Sequence, residues 1–163
     1  MTDDGISIRL ASRTDAGRLN DALAQLSHDL GDPHGTRPED LVRHGFGSSP
    51  ILRGLLAETE AGTVVGALVY SPVFSTVSGG AGLYVSDLWV SGAARGAGLG
   101  PRLLAAAIRT APAEWNVKFL KLSVYDDNPR ARAFYDRLGF TPMAGETVMR
   151  LDHLHFNGLT GEP

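Results

Sequence analysis

The sequence contains no cysteine. That excludes disulfides, thiolate metal ligands and a cysteine nucleophile, and it suits a reducing compartment. A charge excess is missing as well, since 15 Lys and Arg stand against 18 Asp and Glu for a net charge of −3. Binding to nucleic acid or to an anionic membrane surface is therefore not expected. No long hydrophobic run occurs. The longest helix-compatible one, residues 103–108, falls far short of the roughly 20 residues that span a bilayer. The start, Met1-Thr2-Asp3-Asp4-Gly5, is acidic and lacks the basic and apolar stretches of a signal peptide. With 163 residues, 43% of them hydrophobic, the chain is expected to be one cytoplasmic domain, 1–163, with an ordinary core.

Glycine is what the chain has in quantity. Seven of its 20 glycines (Gly79, Gly80, Gly82, Gly92, Gly96, Gly98 and Gly100) fall in one short stretch. Around them the pattern predicts alternating elements. Residues 6–10 alternate with period 2 and read as a strand, and Thr14 is placed to cap a helix ending near Gly31. Pro38 opens a second, short helix. Residues 52–57 and 63–70 form two strands around Glu60-Ala61-Gly62, and 83–90 a third. A helix starts at Gly100-Pro101, 119–125 is a strand, Asn128-Pro129 opens a helix closed by Gly139, and 147–151 is a last strand. The order β-α-α-β-β-β-α-β-α-β describes one mixed α/β domain.

Two stretches carry chemistry. In the first, the strand ending Leu88-Trp89-Val90 runs through a loop into Arg95-Gly96-Ala97-Gly98-Leu99-Gly100-Pro101. Alternate glycines let a ligand approach the backbone, and amides at a helix N-terminus favour an anion such as a pyrophosphate. The spacing fits neither a P-loop, which needs a Lys, nor a dinucleotide fingerprint; the alternative is a glycine-rich connection without a ligand. The second stretch is Asn128-Pro129-Arg130-Ala131-Arg132-Ala133-Phe134-Tyr135 with Leu138-Gly139-Phe140. Tyr135 lies about two turns along from Asn128, so its hydroxyl could face the same cleft; alternatively it is a packed aromatic. Asp87 is the first candidate for a general base, with backbone capping as its alternative, and Asp29 and Glu146 are candidates for holding a cationic substrate. His153-x-His155 has no partner at ligand spacing, so no metal is expected.

Together these stretches resemble the GNAT superfamily of acetyl-CoA-dependent N-acetyltransferases. Its pyrophosphate pattern Arg/Gln-x-x-Gly-x-Gly/Ala is matched by Arg95 to Gly100, and its Asn-x-x-Ala-x-x-Phe-Tyr pattern by Asn128, Ala131, Phe134 and Tyr135. The branch most similar is that of the diamine (spermidine/spermine-like) acetyltransferases, on Leu41-Val42-Arg43-His44-Gly45-Phe46-Gly47 and Leu83-Tyr84-Val85-Ser86-Asp87-Leu88-Trp89-Val90. Where those enzymes carry a Glu-Asp pair this chain has Ser86-Asp87, so one carboxylate expected to hold a cationic substrate is missing.

The resemblance implies an α/β (α+β) fold: a mixed, mostly antiparallel central sheet flanked by helices, with a splayed strand pair that binds acetyl-CoA. Leu88, Trp89 and Val90 would then meet the pantetheine arm, while Arg95, Gly96, Ala97, Gly98, Leu99, Gly100 and Pro101 hold the pyrophosphate. Asn128 and Ala131 would lie at the cofactor arm, and Arg130, Arg132 or Arg137 could reach the 3′-phosphate of CoA. Tyr135 would be the general acid, and Asp29, Ser86 and Glu146 would face the substrate. The implied reaction moves acetyl directly from acetyl-CoA to a primary amine of a small molecule, diamine-like or amino-acid-like, in a homodimer. The alternatives are acetylation of a protein N-terminus or lysine, and a non-catalytic CoA-binding regulatory module.

Overall fold

The computed structural model describes residues 5–161, so the acidic start, Met1 to Asp4, lies outside the described residues. Contacts divide the chain into a first unit ending at Val124 and a second beginning at Tyr125. The first unit is built on a five-stranded sheet in the order β1-β2-β3-β4-β5. Its strands are β1 (Ile6–Leu10), β2 (Arg53–Thr59), β3 (Val64–Ser75), β4 (Gly80–Val90) and β5 (Leu120–Lys121). Every pairing is antiparallel except β4 with β5, which is parallel. This is the mixed, mostly antiparallel sheet that the family resemblance implies.

Both faces of the sheet are covered, which is why Leu55, Leu56, Ala57, Ala67, Leu68, Val69 and Tyr70 are all buried although adjacent side chains point to opposite faces. On one face α1 (Ala16–Leu30) and α2 (Pro38–Phe46) pack Leu19, Ala22, Leu23 and Leu41 against Leu56, Ala67, Val69 and Trp89. On the other, α3 (Leu99–Thr110) sets Leu99 and Leu103 over Gly66, and the Tyr70 hydroxyl meets Thr110 Oγ1 at 3.1 Å.

The start of α1 is held by charge. A helical turn at Arg13–Asp15 precedes it, and Asp15, not Thr14, is the N-cap of α1; Ser12 caps the turn, its amide and hydroxyl donating to Asp15 Oδ2 at 2.7 and 2.6 Å. Arg9 donates to Asp15 at 2.7 and 2.9 Å and to Glu58 at 2.7 and 3.2 Å, and Arg18 pairs with Glu58 at 2.6 Å. Asp15 and Glu58 are the two buried charged residues among those described. The Arg9 hydrogen bonds hold the Asp15 carboxyl well below the usual carboxylate range. Burial alone would raise Glu58, but the bonds from Arg9 and Arg18 outweigh it and keep its pKa low.

The second unit holds α4 (Pro129–Arg137) and a short C-terminal helix, α5 (Asn157–Thr160). Two expectations change here. The strand expected at 119–125 is reduced to Leu120–Lys121, because β4 pairs with it only at Leu83 and Tyr84. The strand expected at 147–151 does not form: all five described strands lie in the first unit, and Val148 and Met149 are exposed.

The Arg9–Asp15 contact generates a prediction. A depressed carboxylate pKa stabilises the fold fully above the unfolded value of about 4, and this is lost as pH falls toward the folded value. Asp15→Asn should cost about 2 kcal/mol at pH 7, the scale of a charged hydrogen bond whose Arg partner is partly exposed. Its stability should also fall less steeply than the wild type's between pH 5 and about 3; urea unfolding at several pH values measures both.

Candidate functional site

The local geometry starts with an extra residue in β4. Val69 pairs with Asp87 and Tyr70 with Val85, which leaves Ser86 unpaired as a β-bulge. Neighbours on a regular strand face opposite sides, but a bulge re-aims one of them. Ser86 and Asp87 consequently line the same cleft, and the Ser86 hydroxyl donates to Asp87 Oδ2 at 2.6 Å.

That cleft, ≈ 270 Å³, is walled by α1 (Leu23, Ser27), the following loop (Pro33, His34, Gly35, Thr36), α2 (Asp40, Leu41, His44) and the floor residues Leu52 and Val69. His34 is fixed between Ser27 Oγ at 3.1 Å and Asn20 Oδ1 at 3.2 Å. Asp40 accepts the Arg37 amide at 3.1 Å, which lowers its pKa. The lining contains two carboxylates and no Lys or Arg. His34 and Asp40 are not marked by any spacing in the sequence, and His44 stands in the stretch Leu41–Gly47 that carries the branch resemblance without being assigned a role there.

Beyond Tyr84 the edge of β4 facing β5 has no partner strand among the described residues, so Leu88, Trp89 and Val90 lie on a splayed edge. The Trp89 ring itself is core, leaving backbone as what that residue can offer. The glycine loop follows. Gly96 and Gly98 adopt left-handed φ values of 84° and 72°, and an added Cβ at either would meet nothing within 4 Å. Residues 96–100 donate to no backbone carbonyl within hydrogen-bonding geometry, and Gly98 is the N-cap of α3. Free amides, open space and a helix N-terminus fit a pyrophosphate. Leu99 and Gly100 are buried and begin α3, with Pro101 in its first turn, while Ala97 is exposed.

Arg95 is engaged already. Its Nη2 donates to Asp29 at 2.7 Å and its Nε to the Val90 carbonyl at 3.0 Å. Asp29, expected to face the substrate, therefore faces the arginine at the head of the glycine loop and is not among the cleft residues.

In the second unit Asn128 caps α4, its Oδ1 accepting the Ala131 amide at 3.0 Å, which leaves Nδ2 as a donor. Tyr135 packs edge-on against Phe134 and Phe140, with ring centroids 4.9 and 5.3 Å away, and burial pushes its hydroxyl pKa up. Arg132 pairs with Asp136 at 2.9 Å; Arg130, Arg137 and Glu146 are exposed. His153 and His155 form an exposed helical turn, and among the described residues no group of three or more His, Asp or Glu is arranged to hold a metal.

Residues 20–140 match the pattern of the acetyltransferase (GNAT) family. A thialysine N-epsilon-acetyltransferase of Bos taurus is 29% identical over 143 residues, covering 82% of this chain and 83% of that protein. Among solved structures, an integron cassette protein from the mobile metagenome of V. cholerae superposes with a TM-score of 0.76 at 21% identity, covering 97% of this chain and 99% of that one. The ribosomal-protein-alanine N-acetyltransferase of Brucella melitensis gives 0.70 at 21% identity, covering 90% and 99%. At these identities the structures speak for the fold.

A β-branched side chain at Gly98 strains the left-handed backbone and projects into the open space beside the amides. Gly98→Val is expected to abolish CoA binding in calorimetry; an unchanged affinity would show that the loop does not hold the pyrophosphate.

Proposed function

The chain belongs to the acetyltransferase (GNAT) family and is an N-acetyltransferase, and from that premise we propose that it transfers acetyl from acetyl-CoA to a primary amine of a small, cationic molecule. The observation that carries this reading is the cleft of ≈ 270 Å³, whose lining holds the carboxylates of Asp40 and Asp87 and no basic Lys or Arg. Its size suits a small molecule better than a peptide, and the thialysine acetyltransferase relative has a small amine in its name.

Acetyl-CoA supplies the acetyl group activated as a thioester. In this reading the amides of residues 96–100 and the α3 N-terminus hold its pyrophosphate and the splayed edge at Leu88, Trp89 and Val90 takes the pantetheine arm, while a role for Asn128 at the cofactor is proposed on the family resemblance. An amine reaches the cleft as an ammonium, with a pKa near ~10, and must lose a proton before attacking. Asp87, oriented by the Ser86 hydroxyl, is the group proposed to accept that proton, directly or through water. The amine nitrogen then forms the amide bond as the carbon–sulfur bond breaks. Tyr135 is proposed to give the departing thiolate its proton, a role helped by the burial that keeps its hydroxyl protonated. The chain's lack of cysteine accords with direct transfer and no acyl-enzyme on a thiol. Among the described residues no helix is long and apolar enough to cross a membrane. A cytoplasmic homodimer is part of this proposal.

Tyr135→Phe is expected to lower kcat by about 10²–10⁴-fold with CoA affinity retained. Turnover within twofold of the wild type would remove Tyr135 from the role of acid. An acetyl-CoA consumption assay across diamines, amino acids, aminoglycosides and peptides should show the highest kcat/KM on a small amine. Ser86→Glu restores a second carboxylate beside Asp87 and should raise kcat/KM for spermidine; no gain would count against a cationic acceptor here.

A further inference from the structure

Asp29 lies at the last turn of α1, one residue from its end, where an acidic side chain opposes the helix dipole. Such a placement needs a compensating interaction, and Asp29 is surrounded by donors. Arg95 Nη2 lies 2.7 Å from Oδ2, and Gln25 Nε2 lies 3.2 Å from Oδ1. The buried Trp89 indole N–H is close enough to help lower the Asp29 pKa but makes no well-aligned hydrogen bond. Burial by itself raises that pKa; the donors outweigh it.

Arg95 is thus a fork with two protein partners. One prong goes to Asp29 and another to the carbonyl of Val90, the last residue of β4. Both partners lie ahead of the loop that carries the exposed amides. The guanidinium fixes the place where that loop leaves the sheet, and Asp29 has neutralised much of the charge an anion would seek. Asp29 also stands two residues before Gly31, ahead of the residues 33–36 that wall the acceptor cleft.

We propose that Asp29 is a positioning residue: by holding Arg95 against the end of β4 it sets the glycine loop in its CoA-binding form, and it ties that loop to the segment walling the acceptor cleft. Arg95 acts as a strut, and the pyrophosphate is held by the backbone amides. This rests on the acetyl-CoA reading above. The rival view, in which Arg95 is the direct counter-charge of the pyrophosphate, makes the opposite prediction. There Asp29 competes with the ligand, and its removal tightens binding.

The test is calorimetric titration of the full chain with CoA, free of acetyl groups so that no turnover contributes. Asp29→Asn should raise the Kd by roughly five- to tenfold, the low end of coupling between neighbouring elements. Asp29→Glu should recover most of the loss. Arg95→Met should match Asp29→Asn, and the double variant should be no weaker than either single one, because both remove the same strut. Losses that multiply in the double variant overturn the proposal, as does an Asp29→Asn Kd that is within twofold of the wild type or tighter. So does a fall in the Tm of Asp29→Asn with the Kd of the folded protein unchanged, which marks a purely structural residue. If the wild-type chain itself binds no CoA, the acetyl-CoA reading fails and takes this proposal with it. A wild type that binds beside an unaffected Asp29→Asn overturns the proposal alone.

Discussion

One surplus residue in β4 organises the cleft side of the first unit. A regular strand would send Ser86 and Asp87 to opposite faces of the sheet, one toward α1 and the other toward α3. The bulge places both in the cleft beneath α1 and α2, where the Ser86 hydroxyl fixes the Asp87 carboxylate. The same strand loses its β5 partner after Tyr84, which frees its far edge toward the glycine loop. Both irregularities cost ladder hydrogen bonds, and the two packed faces of the sheet supply the burial that offsets them.

α1 works as a beam between two sets of charges. At its start, Arg9 and Arg18 bind the buried Asp15 and Glu58 and so lock the helix to β1 and β2. At its end, Asp29 meets Arg95. Between these anchors Leu19, Ala22 and Leu23 fill the core, while Leu23 and Ser27 wall the cleft. The helix that walls the cleft is therefore joined by an ion pair to the residue that heads the loop with the free amides.

Much of the fold and of the site could be read from residue order. The strand at Ile6–Leu10, the helix ended by Gly31, the hairpins, the helix behind the glycine loop and the Asn128-capped helix all appear. Each is dictated locally, by alternation, capping chemistry or a residue that only a turn accommodates. The glycine loop was legible for the same reason: at Gly96 and Gly98 the backbone itself takes left-handed angles. The stretch 147–151 misleads because β-forming residue types state only a preference for strand. Without a neighbouring strand its amides have nothing to pair with, and its apolar side chains stay exposed. Thr14 misleads on a smaller scale, since it lies inside the helical turn Arg13–Asp15 and α1 is capped one residue later, at Asp15.

By itself the sequence determined which residue types stand at which spacing, and hence the glycine loop, the Asn128 cap and the family pattern, because those signals act over a few residues of backbone. Only the tertiary structure decided the fate of the charges. Asp29 and Arg95 are 66 residues apart in sequence, and nothing local announces that one neutralises the other. His34, Asp40, His44, Ser86 and Asp87 come together through a bulge and two helix packings that bring distant segments to one cleft. Partner choice for a charged side chain depends on distance through space and on exclusion of water, and the fold sets both.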